Sequence, residues 1–307
     1  VAQRTFRAGP CVAATSQDVI EVLARGATQI YRRPIGGTEA SKWSPIPDLD
    51  TSTIDNRSDL DCMYDGSAIH VVAASTTPLG AILHGTGSGT VYNPFTRVLP
   101  TTTVIPSPSL WTNSRDSMVI AGTGSTALIV GQLASDTFTD WKAPYLGIND
   151  TVTSGPDIAF RAEGGSGCHL FAAFDDNGFV TVHTYVQSSA PAHWYDTVLV
   201  ATPPPNTKFA FSPTICAGQY QGMNTTFIAA TSQDNKLWLR TASGLTTDTL
   251  STAWVKLSDD AYSAPDCVVN NYGADVNVVV RNQKDTIVLH KGTGKGSSWI
   301  ATDLDQY

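Results

Sequence analysis

The chain has 307 residues, 41% of them hydrophobic, enough apolar material for a substantial core. A formal net charge of -8, with no cluster of Lys and Arg, argues against nucleic acid and anionic membrane surfaces as partners. No apolar run approaches the roughly 18 to 20 residues that cross a bilayer, so membrane insertion is not expected.

Charged residues make up 15%, below the roughly one quarter of an average soluble chain. Ser, Thr and Gly are plentiful instead, as in β-rich, often extracellular proteins. The numbering opens on Val1 rather than Met, which reads as a mature form whose signal peptide has been removed, and a secreted protein is expected. Sequons at Asn56, Asn149 and Asn224 would permit N-glycosylation, but a chain so rich in Ser and Thr supplies about that many by chance.

In chain order, one unit recurs. ATQIYRRPIGGTEASKW ends on Trp43, PLGAILHGTGSGTVY on Tyr92, STALIVGQLASDTFTDW on Trp141, DNGFVTVHTYVQSSAPAHW on Trp194, TSQDNKLWLRTASGLTTDTLSTAW on Trp254 and KDTIVLHKGTGKGSSW on Trp299. Steps of about 45 to 60 residues mark a repeat architecture. Each unit begins near a turn or proline signal, at Pro10, Asp59, Pro108, Pro156, Pro213 and Pro265. An apolar second strand follows, such as VIEVLAR or CHLFAAF, then a polar turn such as DDNG or SQDN, then two further strands. Four short antiparallel strands repeated around an axis predict an all-β fold, a six-bladed β-propeller. A single domain over 1–307 is expected, with blades at about 9–57, 58–106, 107–154, 155–211, 212–263 and 264–307. Residues 1–8 resemble the linker that ends other repeats, TFRAGP beside AYSAPD, so the ring is expected to close by its termini meeting.

The five cysteines, Cys11, Cys62, Cys168, Cys216 and Cys267, show no CxxC spacing, and no cofactor or metal is expected. Asp175, Asp176 and Asn177 lack the fuller spaced set of a Ca²⁺ loop. Free buried thiols are the first expectation for the cysteines. A bond between Cys11 and Cys267, stapling the first repeat to the last, is the alternative.

At the end of the third strand the repeats carry Arg33, His84, Gln132, His183, Arg240 and His290, a polar column on the strand face opposite Leu239, Val182 and Leu289. Either each side chain bonds a loop carbonyl of the neighbouring blade, or each blade offers a ligand site. The Trp column is expected to fill the widening wedge between blades. Tyr31 and Trp238 stand two residues before Arg33 and Arg240 and share their face. An aromatic plane beside a multi-donor cation suits a sugar, whose C–H face stacks while its hydroxyls take the polar contacts.

VIEVLARGATQIYRRPIGG...KWSPIPDL and TTFIAATSQDNKLWLRT...AWVKL resemble the blade repeat of the PLL-like and tectonin-like β-propeller lectins, with its recurring "VFVRGTDNALWHR...W" pattern. Tyr31 and Trp238 match the pattern's first Trp, Arg33 and Arg240 its Arg, and Trp43 and Trp254 its later Trp. The resemblance implies a secreted lectin with glycans as partners, bound between blades, and assembly as a homo-oligomer. It extends to His84, His183 and His290 only as members of the same column. The six-bladed fungal fucose lectins place an Arg at the start of the second strand and a Glu in the third. Here those places hold Glu21, His70, His169 and Thr226, then Leu239, Val182 and Leu289, so a fucose site of that type is not expected. Neither are the S-x-D-x-G-x-x-W boxes of sialidases present.

The competing class is a polysaccharide lyase or glycoside hydrolase with one site at the mouth of the channel. His183 as base, Tyr185 as acid and Asp157 at the repeat start are its candidate catalytic residues, with His193 and Tyr195 nearby. Asp157 and Asp266 are equally open to a plain role as turn formers. A protein scaffold without a small ligand is the third reading.

Overall fold

The structure is a computed structural model that describes residues 5–16, 18–37, 42–76, 79–98, 105–112, 118–123, 128–134, 137–141, 152–163, 166–186, 193–194, 199–220, 223–244, 249–251, 253–270, 275–293 and 298–305. The strands form separate antiparallel sheets, each built from strands consecutive in sequence. The first holds Cys11–Ser16, Val19–Arg25, Gln29–Ile35 and Ser44–Asp50. The second holds Asp61–Tyr64, Ile69–Thr76, Leu79–Ser88 and Val91–Tyr92, and Thr96–Val98 also pairs with its third strand. The third holds Ile105–Thr112, Met118–Thr123, Leu128–Ala134 and Thr137–Trp141. In the fourth are Asp157–Glu163, Ser166–Phe174, Val180–Val186 and His193–Trp194, with Leu199–Ala201 also on its third strand. The fifth holds Thr214–Tyr220, Met223–Thr231, Leu237–Ala242 and Val255–Ser258, and the sixth Asp266–Val269, Asp275–Arg281, Ile287–Thr293 and Trp299–Asp303.

The first strand of each sheet touches the first strand of the next, and that of the sixth touches that of the first. The sheets are therefore blades of a β-propeller around one axis. Its core lies in the seams between blades. Strand alternation sends Val22 and Ala24 toward the sixth sheet, where they pack with Val279, Ile287 and Leu289. Leu23, one residue along, turns the other way to meet Val71 and Leu83 of the second sheet. Both faces are covered, which is why VIEVLAR is buried from Ile20 onward, Glu21 and Arg25 included.

The turns follow from their residues. Asp175 Oδ1 accepts from the N–H groups of Asn177 at 2.9 Å and Phe179 at 2.8 Å, and Gly178 takes φ +75°, a conformation a side chain would oppose. The ends of the chain behave as any other junction between repeats. Phe6 N donates to Asp285 O and Arg7 N to Arg25 O, as Ala261 N donates to Asn235 O and Tyr262 N to Arg281 O. The amino-terminal segment is thus the linker of the last repeat, carried over to the front of the chain.

Two disulfides overturn the Cys11–Cys267 pairing, and the buried-thiol expectation for every cysteine but Cys168. Cys11 is bonded to Cys62 and Cys216 to Cys267, each pair 51 residues apart, joining the inner strands of the first and second sheets and of the fifth and sixth. Cys168 is in no disulfide; it is buried, and its Sγ donates to Arg161 O at 3.5 Å. Cys11 and Cys267 are not partners because each faces the other neighbour of its blade.

The remaining seams are fastened at the axis by hydrogen bonds. Asp61 Oδ2 accepts from Leu110 N at 2.7 Å, joining the second and third sheets. Ile158 N donates to Ser109 Oγ at 3.0 Å, joining the third and fourth. Asp157 Oδ2 accepts from Ile215 N at 2.7 Å and from Thr214 Oγ1 at 2.5 Å, joining the fourth and fifth. Asp266 Oδ2 accepts from Val12 N at 2.6 Å and closes the sixth sheet onto the first. Asp157 and Asp266 are therefore clasps between blades rather than turn formers.

Candidate functional site in the seams between blades

The polar column of the third strands is real at the level of register. Arg33 lies opposite Val22, His84 opposite Val72, Gln132 opposite Val119, His183 opposite Phe171, Arg240 opposite Ile228 and His290 opposite Val278. Its members nevertheless meet different surroundings. Arg33, His84, His183 and His290 are buried, whereas Arg240 is half-exposed. Burial alone holds His183 and His290 down to a pKa of about 4, so both rings are neutral in ordinary buffers. Neither ring has a hydrogen-bond partner among the described residues. His84 Nε2 lies 3.1 Å from His70 Nδ1, whose Nε2 in turn meets Asp65 Oδ2 at 3.0 Å.

The open member of the set is in the seam between the fourth and fifth sheets. Arg240 extends from Leu237–Ala242, donating from Nε to Ser251 O at 3.0 Å and from Nη1 to Thr202 O at 3.4 Å. Its guanidinium carbon lies 5.9 Å from the centre of the Trp254 ring, a cation–π arrangement. Trp254 Nε1 donates to the same Thr202 carbonyl at 2.7 Å, and its ring packs on Phe209. Trp238, two residues before Arg240 and on its face, is half-buried and donates to Ser232 Oγ at 3.3 Å. The cleft thus joins an always-charged donor fork, two indoles and one backbone carbonyl at a partly open surface.

The same plan occurs closed in the seam between the sixth and first sheets. Trp43 and Phe6 rings meet at 4.8 Å, Tyr31 stands edge-on to Phe6 at 6.2 Å, and Arg33 is 3% exposed. Asp305 lies close to Trp43 and Arg33 in this seam. Burial pushes its carboxyl up, and the nearby Arg33 charge opposes the shift.

A third arrangement escaped the sequence reading. In the seam between the first and second sheets, Arg32 Nε donates to Glu21 Oε2 at 2.7 Å, both buried, beside Tyr92 of the next sheet. Burial, with the Glu21 charge, pushes the Tyr92 hydroxyl above its ordinary range. This is an arginine and a glutamate on second and third strands with the two residue types exchanged. The signal available was a pair of opposite charges inside apolar strands.

The residues considered for catalysis are not gathered at one point. His183 and Tyr185 share the strand Val180–Val186, but His183 is 2% exposed. Asp157 lies on the innermost strand, two ladder spacings or about 10 Å inward of that strand, and its oxygens are engaged by Thr214, Ile215, Ser109 and its own neighbour Ile158. The side chain of His193, and Tyr195 and Asn149 entirely, lie outside the described residues. Among the described residues no group of His, Cys, Asp or Glu is arranged to hold a metal ion.

No family model matches the chain, and no curated protein sequence matches it. Solved structures do resemble it. AofleA from Arthrobotrys oligospora superposes with a TM-score of 0.68 at 10% identity, over 99% of this chain and 88% of that one. The fucose-specific lectin from Aleuria aurantia gives 0.66 at 9% identity, over 98% and 97%. The BP39L lectin from Burkholderia pseudomallei gives 0.54 at 12% identity, over 96% and 99%. Likeness at such identities is one of fold, the β-propeller described above.

Proposed function

We propose that the protein is a carbohydrate-binding protein, a lectin built on a six-bladed propeller as one domain, and that it binds glycans in the seams between blades. The observation that carries this reading is the half-open cleft of Trp238, Arg240 and Trp254 beside Thr202, where aromatic planes and an uncommitted part of a guanidinium fork meet solvent. A saccharide would lay a C–H face on an indole, and its hydroxyl oxygens would accept from the guanidinium N–H groups left open. Two of the structural neighbours bear lectin names, one of them fucose-specific, which supports the same class of ligand. The sugar is left as a neutral, hydroxyl-rich saccharide, because the Glu21 and Arg32 pair reverses the fungal fucose pattern.

The companion cleft of Tyr31 and Arg33 is closed, so the sites are unequal, and the buried His84, His183 and His290 serve packing. Two disulfides fit an oxidising compartment and support secretion. Calorimetric titration with fucosylated and galactosylated oligosaccharides tests the assignment. Binding should vanish in Arg240→Ala and persist in His183→Ala; the reverse pattern would move the site.

A further inference from the structure

The axis of the propeller contains a second feature that the seams do not use. A cavity of about 330 Å³ opens inside the ring of inner strands. Its wall mixes polar and apolar surface and is partly aromatic, with Tyr64, Trp111, Phe160, Ala217 and Val269 among its residues. At its narrow end stand Asp61, Asp157 and Asp266, contributed by alternate sheets, the second, fourth and sixth. The same three aspartates border a smaller cavity of about 40 Å³ on the far side, beside Pro108, Pro156, Pro213 and Pro265. They therefore form a waist of the channel.

No Lys, Arg or His is among the described residues that line the larger cavity. The carboxyl groups at its waist accept backbone N–H bonds from neighbouring blades but face no basic side chain on the wall. The Trp111 ring is stacked on Phe160 at 4.6 Å and held edge-on by His169 at 4.7 Å, so the aromatic wall is fixed in place. The volume is several times that of a bare ion and falls at the lower end of small-molecule sites.

We propose that this axial cavity binds a small organic ammonium ion, with its apolar body against the Trp111 and Phe160 wall and its charged head at the waist formed by Asp61, Asp157 and Asp266. Size, the aromatic wall and the lack of any basic side chain on it each restrict the ligand: a neutral molecule would bring no countercharge to the acidic waist, and an inorganic cation would leave the aromatic wall unused. Aromatic rings facing an ammonium group add a cation–π attraction.

Burial, joined by mutual repulsion at Asp61 and Asp266, also keeps protons on this trio. Asp61 is raised to about 7 by desolvation and by Asp157, and Asp266 well above its ordinary value by desolvation and by Asp61 and Asp157. A cation arriving at the waist favours the ionised carboxylates, so its binding must release protons.

The test uses the intact chain and two probes of one shape, benzylamine and benzyl alcohol, titrated by calorimetry near pH 6 in two buffers of different ionisation heat. The expected result is one benzylamine per chain, binding at least about tenfold tighter than the alcohol and releasing protons, with Asp61→Asn weakening the amine by a similar factor. Equal affinity for the two probes, uptake of no proton change, or no amine binding at about 10 mM would overturn the proposal. Tighter binding of Ca²⁺ that displaces the amine would overturn it in favour of a metal site. Should Asp61→Asn fail to fold, the comparison of amine with alcohol on the unaltered chain decides alone.

Discussion

Asp266 Oδ2 accepts a 2.6 Å hydrogen bond from Val12 N, 254 residues away in sequence, and this contact closes the sixth blade onto the first. Ser109 and the carboxylates of Asp61 and Asp157 fasten three other seams, while the disulfides fasten the remaining two. The ring is thus tied at every seam near its axis.

Asp266→Ala should cost about 1 to 3 kcal/mol of stability, because Val12 N is left buried without its acceptor. Asp259→Ala, which removes only an exposed pair with Lys256, should cost less than about 1 kcal/mol. Denaturant unfolding of both variants checks the contrast, and equal costs would contradict the clasp.

Each disulfide closes a loop of 51 residues, for which the chain-entropy account gives about 4 kcal/mol. Reduction, or the double change Cys216→Ala with Cys267→Ala, should lower the melting temperature by many degrees. Cys168→Ala should lower it far less, since it deletes one buried sulfur and no cross-link.

The pH dependence contains two opposed parts. His169, His183 and His290 have folded pKa values of about 4 against an ordinary 6.5, so the stability they contribute is present above 6.5 and lost as pH falls toward 4. Asp61 is displaced the other way, to about 7, so its contribution is present below the ordinary carboxylate pKa and lost as pH rises through 7. Relative to the unaltered chain, His290→Gln should therefore look better at pH 4.5 than at pH 7. Asp61→Asn should look better at pH 8 than at pH 5. Melting curves over that range check both signs.

Arg33→Ala and Arg240→Ala separate packing from binding. The first removes a guanidinium that is 3% exposed and should destabilise by about 2 to 4 kcal/mol. The second should leave the melting temperature nearly unchanged and remove glycan binding at its seam.

The repeated strand unit and the in-phase polar column were legible in the sequence because both are local: alternation and turn residues fix them within a blade. What the seams do was not. Arg33 and Arg240 look alike in sequence, yet one is sealed beside Asp305 and the other opens beside Thr202, a difference set by the preceding blade. Cysteine pairing depended on which neighbour each inner strand faces. Asp157 read as a catalytic candidate or a turn former, and Asp266 as a turn former, because their partners lie one blade away, and the alternation of Asp61, Asp157 and Asp266 around the axis acquires meaning only once the ring is closed. The likeness of two repeats to PLL-like and tectonin-like blades pointed to a lectin propeller, while the solved structures that superpose include fungal fucose lectins.

The most direct test of the account is a glycan-array screen of the purified chain beside Arg240→Ala, with chromatography of polysaccharides incubated with each. Saturable binding of intact glycans by the unaltered chain, lost in Arg240→Ala, is the predicted result. Shortened or unsaturated products, or binding that survives in Arg240→Ala, would contradict a lectin site in this seam.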